Sequence, residues 1–175
     1  MAVDVVHLVQ DTYLSSLEYQ LVKGIAEQLL SHLNSPEILQ EIERVNQPGA
    51  SSSLVQNTFL REAHSIGFKD ESKGLFADYI NKGLRPDYYM KVEKSGIILE
   101  VERGKTTINN MDFLDFWKCH LCKSANYLFL LVPKTLVQNT KMNPRNEFAT
   151  VVNHLSPFFE PDNYTNVRGL SIFGY

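Results

Sequence analysis

The chain has 175 residues, of which 43% are hydrophobic and 21% charged, with a formal net charge of −3. That length favours one domain with a sizeable core, and no apolar run approaches the ~20 residues a membrane helix needs. Two cysteines are too few for a disulfide framework, and the start "MAVDVVHLVQ" has no basic n-region, so a cytoplasmic setting without a signal peptide is expected.

The charge is unevenly spread. Residues 1–50 hold two basic and seven acidic side chains, a sum of −5, whereas residues 82–123 hold eight basic and six acidic, a sum of +2. A polyanionic partner would therefore meet the middle of the chain rather than its start. The plainer alternative is ordinary scatter of surface charge.

In chain order, residues 1–50 read as a helical N-terminal region. Leu14, Leu17, Leu21, Ile25, Leu29 and Leu33 recur at spacings of three and four, the stripe of an amphipathic helix that covers a core or forms a dimer seam. Pro36 is placed to open a second helix, which Gln47-Pro48-Gly49 ends. Ser51 to Ser53 can cap a third helix, on which Val55, Phe59, Glu62 and Ile66 share a face. The stretch "GLFADYI" is read as a strand, followed by a turn at Asn81-Lys82-Gly83. "PDYYMKV" and "GIILEVE" are rich in β-branched and aromatic residues and form a hairpin. A helix from about Ile108 to Cys122 follows, capped by Thr106 or Thr107, with Met111, Leu114, Trp117 and Leu121 on its apolar face. "NYLFLLVP" is a doubly covered strand; residues 145–159 read as a helix and "VRGLSIFGY" as a last strand. The sum is one α/β domain over 1–175, a mixed sheet with helices on both faces.

Four carboxylates, Asp87, Glu93, Glu100 and Glu102, lie in "RPDYYMKVEKSGIILEVERGK", and two of them end an apolar strand. Burying a carboxylate there is costly unless it is paired or holds a metal. A hairpin turning about Lys94 and Ser95 places Asp87 opposite Glu102 and Tyr89 opposite Glu100, so Asp87, Glu100 and Glu102 would converge on one face. Three carboxylates so close repel, and without a cation one of them stays protonated. A hard divalent ion such as Mg²⁺ resolves the conflict and suits the hydrolysis of phosphate esters.

Pro86-Asp87 at a strand start, with an acidic residue thirteen positions on at the end of an apolar strand, resembles the PD-(D/E)xK nuclease superfamily. Residues 51–132 match its core order of helix, three strands, helix, strand; residues 133–175 add a helix and a strand. The resemblance implies a restriction-endonuclease-like fold in which Asp87 and Glu100 bind Mg²⁺, with Mn²⁺ as a substitute. The family's usual lysine falls on Glu102, which resembles the E-x-E variant of some type II restriction endonucleases. An acidic residue from the helix before the sheet often joins the metal site in this family, and Glu62 is the candidate. The lysine would then come from elsewhere, and Lys105 and Lys118 are nearest in sequence. Alternatively, Glu102 takes a proton from the attacking water or binds a metal.

Other signals are weaker. Cys119-His120-Leu121-Cys122 has no second pair of ligands to complete a zinc site. Arg85, Lys91, Arg103, Lys118, His120 and Lys123 could contact a phosphate backbone. With no helix-turn-helix evident, base reading falls to loops at 67–84 and 133–145. The resemblance thus implies a metal-dependent endonuclease acting on DNA, a homodimer if both strands are cut. The alternatives are an inactive nuclease-fold protein that binds nucleic acid or serves assembly, and a plain α/β interaction domain.

Overall fold

Two strands set the architecture because they are buried along their whole length: β4 (Ser95–Val101) and β5 (Tyr127–Val132). A strand with no exposed face needs cover on both sides. A computed structural model describes residues 2–49, 51–71, 74–79, 84–104, 106–137, 143–163 and 165–175. Lys105, the Asn81-Lys82-Gly83 turn and the middle of the 133–145 loop lie outside the described residues.

The remaining strands and α-helices are β1 (Asp4–Val9), α1 (Leu17–Leu33), α2 (Pro36–Val45), α3 (Ser52–Ile66), β2 (Lys69–Asp70), β3 (Tyr88–Val92), α4 (Met111–Leu121), β6 (Thr135–Leu136), β7 (Arg145–Asn146), α5 (Glu147–Leu155) and β8 (Gly169–Gly174), with short 3-10 turns at Asp11–Tyr13 and Ser156–Phe159. Six strands form one mixed sheet in the order β1-β8-β5-β4-β3-β2, and β6 and β7 form a separate small ladder. β8, β5 and β4 run parallel, and the other pairs are antiparallel. From α3 to β5 the order is helix, three strands, helix, strand, the restriction-endonuclease-like layout that the resemblance implies.

Alternation along the strands divides the core in two. Ile97, Leu99, Val101, Phe129 and Leu131 meet Leu29, Leu33, Val55 and Phe59 of α1 and α3. Ile98, Leu128, Leu130 and Ile172 meet Phe116 and Cys119 of α4 and Val151 and Leu155 of α5. Each such aliphatic side chain contributes about 1.5–3 kcal/mol on burial. Two glycines are sterically required. Gly67 ends α3 in the left-handed conformation, with φ 114°. A Cβ on Gly96 would lie 2.3 Å from the ring of Tyr89, which crosses β4 so that its hydroxyl donates to Ser124 O.

Several expectations need correction. The N-terminal region is not all helical, because the β-branched run Asp4–Val9 pairs antiparallel with β8 as an edge strand. Residues 74–79 of "GLFADYI" are turns rather than a strand; of the four apolar or aromatic side chains in 74–79, Phe76 alone is buried, as a plug against the α4 side of the sheet. Of the α1 stripe, Leu29 and Leu33 are buried, but Leu14, Leu17 and Leu21 face outward. Neither threonine caps α4. Its N-cap is Asn110, at φ 54°, and Thr107 Oγ1 donates instead to Glu147 Oε2 at 2.6 Å.

The largest correction concerns the facing of α4. Leu114, Trp117 and Leu121 are 40%, 46% and 47% exposed, whereas Asp112, Asp115, Phe116, Lys118 and Cys119 are buried. The helix therefore turns its charged residues toward the sheet. Such burial is tolerable only if those charges find partners.

Candidate active site

The β3–β4 hairpin turns on two residues, Glu93 and Lys94, with Val92 paired to Ser95 and Tyr88 paired to Leu99. Glu93 takes the positive φ of 48° that so tight a turn demands. The register is one residue off each strand from the one expected, and Asp87 consequently comes opposite Glu100 rather than Glu102. The contacts agree: Asp87 N donates to Glu100 Oε2 at 3.0 Å, and Val101 N donates to Asp87 Oδ2 at 3.0 Å. The Glu100 carboxylate is thus held by the backbone of Asp87, and the Asp87 carboxylate by the backbone of Val101, at the end of the hairpin.

Glu100 projects to the α4 side, where it is 2% exposed. Lys118 Nζ lies 2.9 Å from Glu100 Oε1 and 2.8 Å from Asp115 Oδ1. Asp115 and Lys118 are three apart on α4 and so share a face. Both oxygens of Glu100 accept hydrogen bonds, the arrangement of an ionised carboxylate, although burial and the charges of Asp115 and Asp87 push its pKa up. Burial lowers the affinity of Lys118 for its proton, but Glu100 and Asp115 outweigh it and hold the ammonium above its ordinary range.

Glu102, one residue past β4, is fixed through its backbone. Its N–H donates to Leu131 O at 2.8 Å, and its carbonyl accepts the hydroxyl of Tyr175 at 2.7 Å. Its carboxyl meets that of Asp115, and such a contact needs a shared proton or a cation. Burial, with the Asp115 charge, pushes Glu102 up to about 8. Burial pushes Asp115 up to about 6 despite the counter-pull of Lys118. Asp115 Oδ2 is buried and has no conventional donor. Burial also raises Asp87, against the pull of the Val101 N–H, Lys118 and Gln56.

The sequence-derived residues separate as follows. Asp87 and Glu100 come together, and Glu102 joins them through Asp115. Glu62 does not: its carboxylate sits 4.0 Å from His32 of α1. The α3 residue that reaches the site is Gln56, whose Nε2 donates to Asp87 Oδ2 at 3.0 Å. The Tyr88 hydroxyl reaches Gln56 Oε1 at 3.4 Å and helps orient the amide. Lys105 lies outside the described residues. Asp115 and Gln56 were missed. Asp115 could have been found from Asp112, Asp115, Phe116, Cys119 and Cys122, a second stripe at helical spacing that competes with the apolar one.

The donor chemistry suits a hard divalent cation. Asp87, Glu100 and Glu102 offer carboxylate oxygens, and Asp115 Oδ2 is a buried oxygen still lacking a partner. Two carboxylates, Glu100 and Asp115, meet the ammonium of Lys118, whose charge also pulls on the carboxyls of Asp87 and Glu102. Among the described residues, however, no three His, Cys, Asp or Glu side chains already stand as a ligand set. Glu100 is engaged by Lys118, and Glu102 by Asp115.

No family model and no curated protein sequence matches the chain. A solved structure similar to it is titled "Crystal structure of free BglII", with a TM-score of 0.41 and 12% identity, covering 99% of this chain and 79% of that one. An overlap this low does not carry an assignment of activity. No helix among the described residues is long and apolar enough to cross a membrane.

Proposed function

We propose that the chain is a divalent-metal-dependent endonuclease that hydrolyses phosphodiester bonds in DNA. The observation that carries this reading is the meeting of Asp87, Glu100 and Lys118: the strand-end carboxylates of the PD-(D/E)xK pattern, with the lysine arriving from α4 instead of from position 102. Asp87 and Glu100 hold Mg²⁺ or Mn²⁺, assisted by Glu102. Such an ion, when bound, polarises a phosphoryl oxygen and acidifies a water.

The chain's own groups do the rest. Gln56 and the Val101 N–H hold Asp87 Oδ2 in place. Lys118, kept protonated by its two carboxylates, stabilises the negative charge that develops on the phosphate. Lys105, four positions after the last residue of β4 in the sequence, is proposed to orient the attacking water or take its proton. Arg85, Lys91, Arg103 and Lys123 are proposed to contact the phosphate backbone. Cutting both strands calls for two sites, hence a homodimer. The test is cleavage of supercoiled DNA in Mg²⁺ and in Mn²⁺ by the wild type and Asp87→Ala. Nicking or linearisation by the wild type alone supports the reading, and equal products from both proteins overturn it.

One observation favours a second reading. The Lys118 ammonium already bonds both Glu100 and Asp115, as it would in a nuclease fold that binds nucleic acid without cutting it. On that reading the wild type retains DNA without cleavage in any divalent metal.

A further inference from the structure

Three buried side-chain oxygens among the described residues have no hydrogen-bond partner: Thr106 Oγ1, Asp112 Oδ1 and Asp115 Oδ2. Only Asp115 belongs to the carboxyl cluster. It is fully buried, its Oδ1 is taken by Lys118 at 2.8 Å, and its carboxyl also meets that of Glu102. A buried acceptor left unpaired costs about 1–3 kcal/mol, and without a cation only a proton shared with the Glu102 carboxyl can relieve it. A lysine on the other oxygen does not relieve it, because the two carboxylate oxygens accept separately.

We propose that Asp115, whose carboxyl meets that of Glu102, is a cation-binding residue that joins Asp87, Glu100 and Glu102 in the metal site. The inference rests on the nuclease reading for the presence of a metal, but it assigns a ligand that the strand motif does not contain. Asp115 then has two roles from one helical position. Oδ1 anchors Lys118, and Oδ2 completes the oxygen set with Glu102. The placement follows from the inverted facing of α4, which brings a carboxylate to the strand end that an apolar inner stripe would have excluded. Glu102 is in turn pinned by Leu131 and Tyr175 through its backbone, so its carboxyl has a fixed base from which to meet the ion.

Mn²⁺ affinity, measured by calorimetric titration with MnCl₂ and by the paramagnetic signal of the free ion, tests this without recourse to cleavage. Asp115→Asn weakens Mn²⁺ binding by roughly tenfold or more, the scale of a lost metal-site partner, and Glu62→Gln leaves it unchanged. Because Asp115 also holds Lys118, the deciding comparison is made in Lys118→Met. Removing the ammonium frees Glu100 and Asp115 and tightens Mn²⁺. Adding Asp115→Asn to that background weakens binding again if Asp115 faces the ion, and has no effect if Asp115 only anchors the lysine. The second result overturns the inference. Asp115→Glu, which keeps the carboxylate, gives a second arm should the asparagine variant unfold the chain: Mn²⁺ affinity altered by the lengthened side chain in the Lys118→Met background supports the proposal, and unchanged affinity overturns it. Wild type that fails to bind Mn²⁺ overturns the nuclease reading together with this one, whereas binding that survives the Asp115 changes overturns this one alone.

Discussion

The ammonium of Lys118 lies 2.9 Å from Oε1 of Glu100, joining α4 to the end of β4 across eighteen residues of sequence. Both side chains are nearly excluded from water, at 10% and 3% exposure. Removing one partner of such a pair costs about 3–5 kcal/mol, because the other is left as a buried charge. Lys118→Met is therefore expected to lower the metal-free melting temperature sharply, and Mn²⁺ is expected to restore much of the loss. Cleavage should fall by roughly 10²–10³-fold, the scale of a lost charge-stabilising group. A variant that melts and cleaves like the wild type would remove Lys118 from the site.

Asp87→Ala should abolish stabilisation by Mg²⁺ and Mn²⁺. An ion that binds only the folded state raises stability by about 2.7 kcal/mol at a hundred times its dissociation constant. Scanning calorimetry of both proteins with and without the ion reads the difference. Equal shifts would place the ion elsewhere.

Gln56 supplies an uncharged donor to Asp87 from α3, the helix before the sheet. Gln56→Glu replaces the donor with a further carboxylate against a half-buried one. Without metal the variant should be less stable, through like-charge repulsion and a lost hydrogen bond. With Mn²⁺ it should gain more than the wild type does. A smaller metal-induced gain than in the wild type would show that residue 56 lies outside reach of the ion.

How far the sequence could disclose this site is visible in particular residues. The apolar runs of β4 and β5 fixed two buried strands because few other conformations bury six or seven consecutive residues on both faces. The Pro86-Asp87 and Glu100 pattern located the strand end. The hairpin register was not legible, because the loop Glu93-Lys94-Ser95-Gly96 allows several turns, and only the two-residue turn at Glu93 and Lys94 brings Asp87 opposite Glu100. The facing of α4 was not legible from hydrophobicity alone. Trp117 and Leu114 would normally mark the inner face, but the buried charge of Glu100 draws Lys118 inward and turns them out. Glu62 was chosen because it shares a face with Val55, Phe59 and Ile66 on the helix before the sheet, but its carboxylate meets His32, and the 240° between positions 56 and 62 sets it apart from Gln56, which reaches Asp87.

Metal-free stability should fall as pH rises from about 4.5 to about 8. Glu102 titrates near 8 in the folded protein, raised from 4.5 by burial and by Asp115. Between those values the folded state holds a proton that the unfolded state has released, so the stability gradient with pH is negative there. Asp115, raised to about 6, adds in the same direction at the lower end of the window. Thermal melts across this range should show the decline, and saturating Mg²⁺ should flatten it by replacing the shared proton. Glu102→Gln should flatten it without metal. A stability that climbs over the same range would refute the proton-sharing pair.

Glu102 separates an enzyme from a non-cutting relative, because position 102 is where the nuclease pattern usually has its lysine. If Glu102 and Asp115 face the ion, Glu102→Ala removes an oxygen ligand and costs roughly 10²-fold or more in cleavage, the scale of a lost positioned group. DNA binding without metal should hold or tighten, since one negative charge near the phosphates is gone. Glu102→Lys is the sharper test, because its two effects have opposite signs. The new ammonium is placed to meet Asp115 in place of the carboxyl that shares its proton, so the metal-free protein should become more stable at neutral pH. The same ammonium occupies the cation's side of the site, so Mn²⁺ affinity and cleavage should be lost although the family's commoner residue has been restored. In a non-cutting relative neither substitution changes cleavage, which is absent from the start. Melting curves, Mn²⁺ titrations and cleavage of supercoiled DNA by wild type, Glu102→Ala and Glu102→Lys would distinguish the cases. Strong cleavage by Glu102→Lys would show that residue 102 orients water and that the ion is held by Asp87 and Glu100 without it.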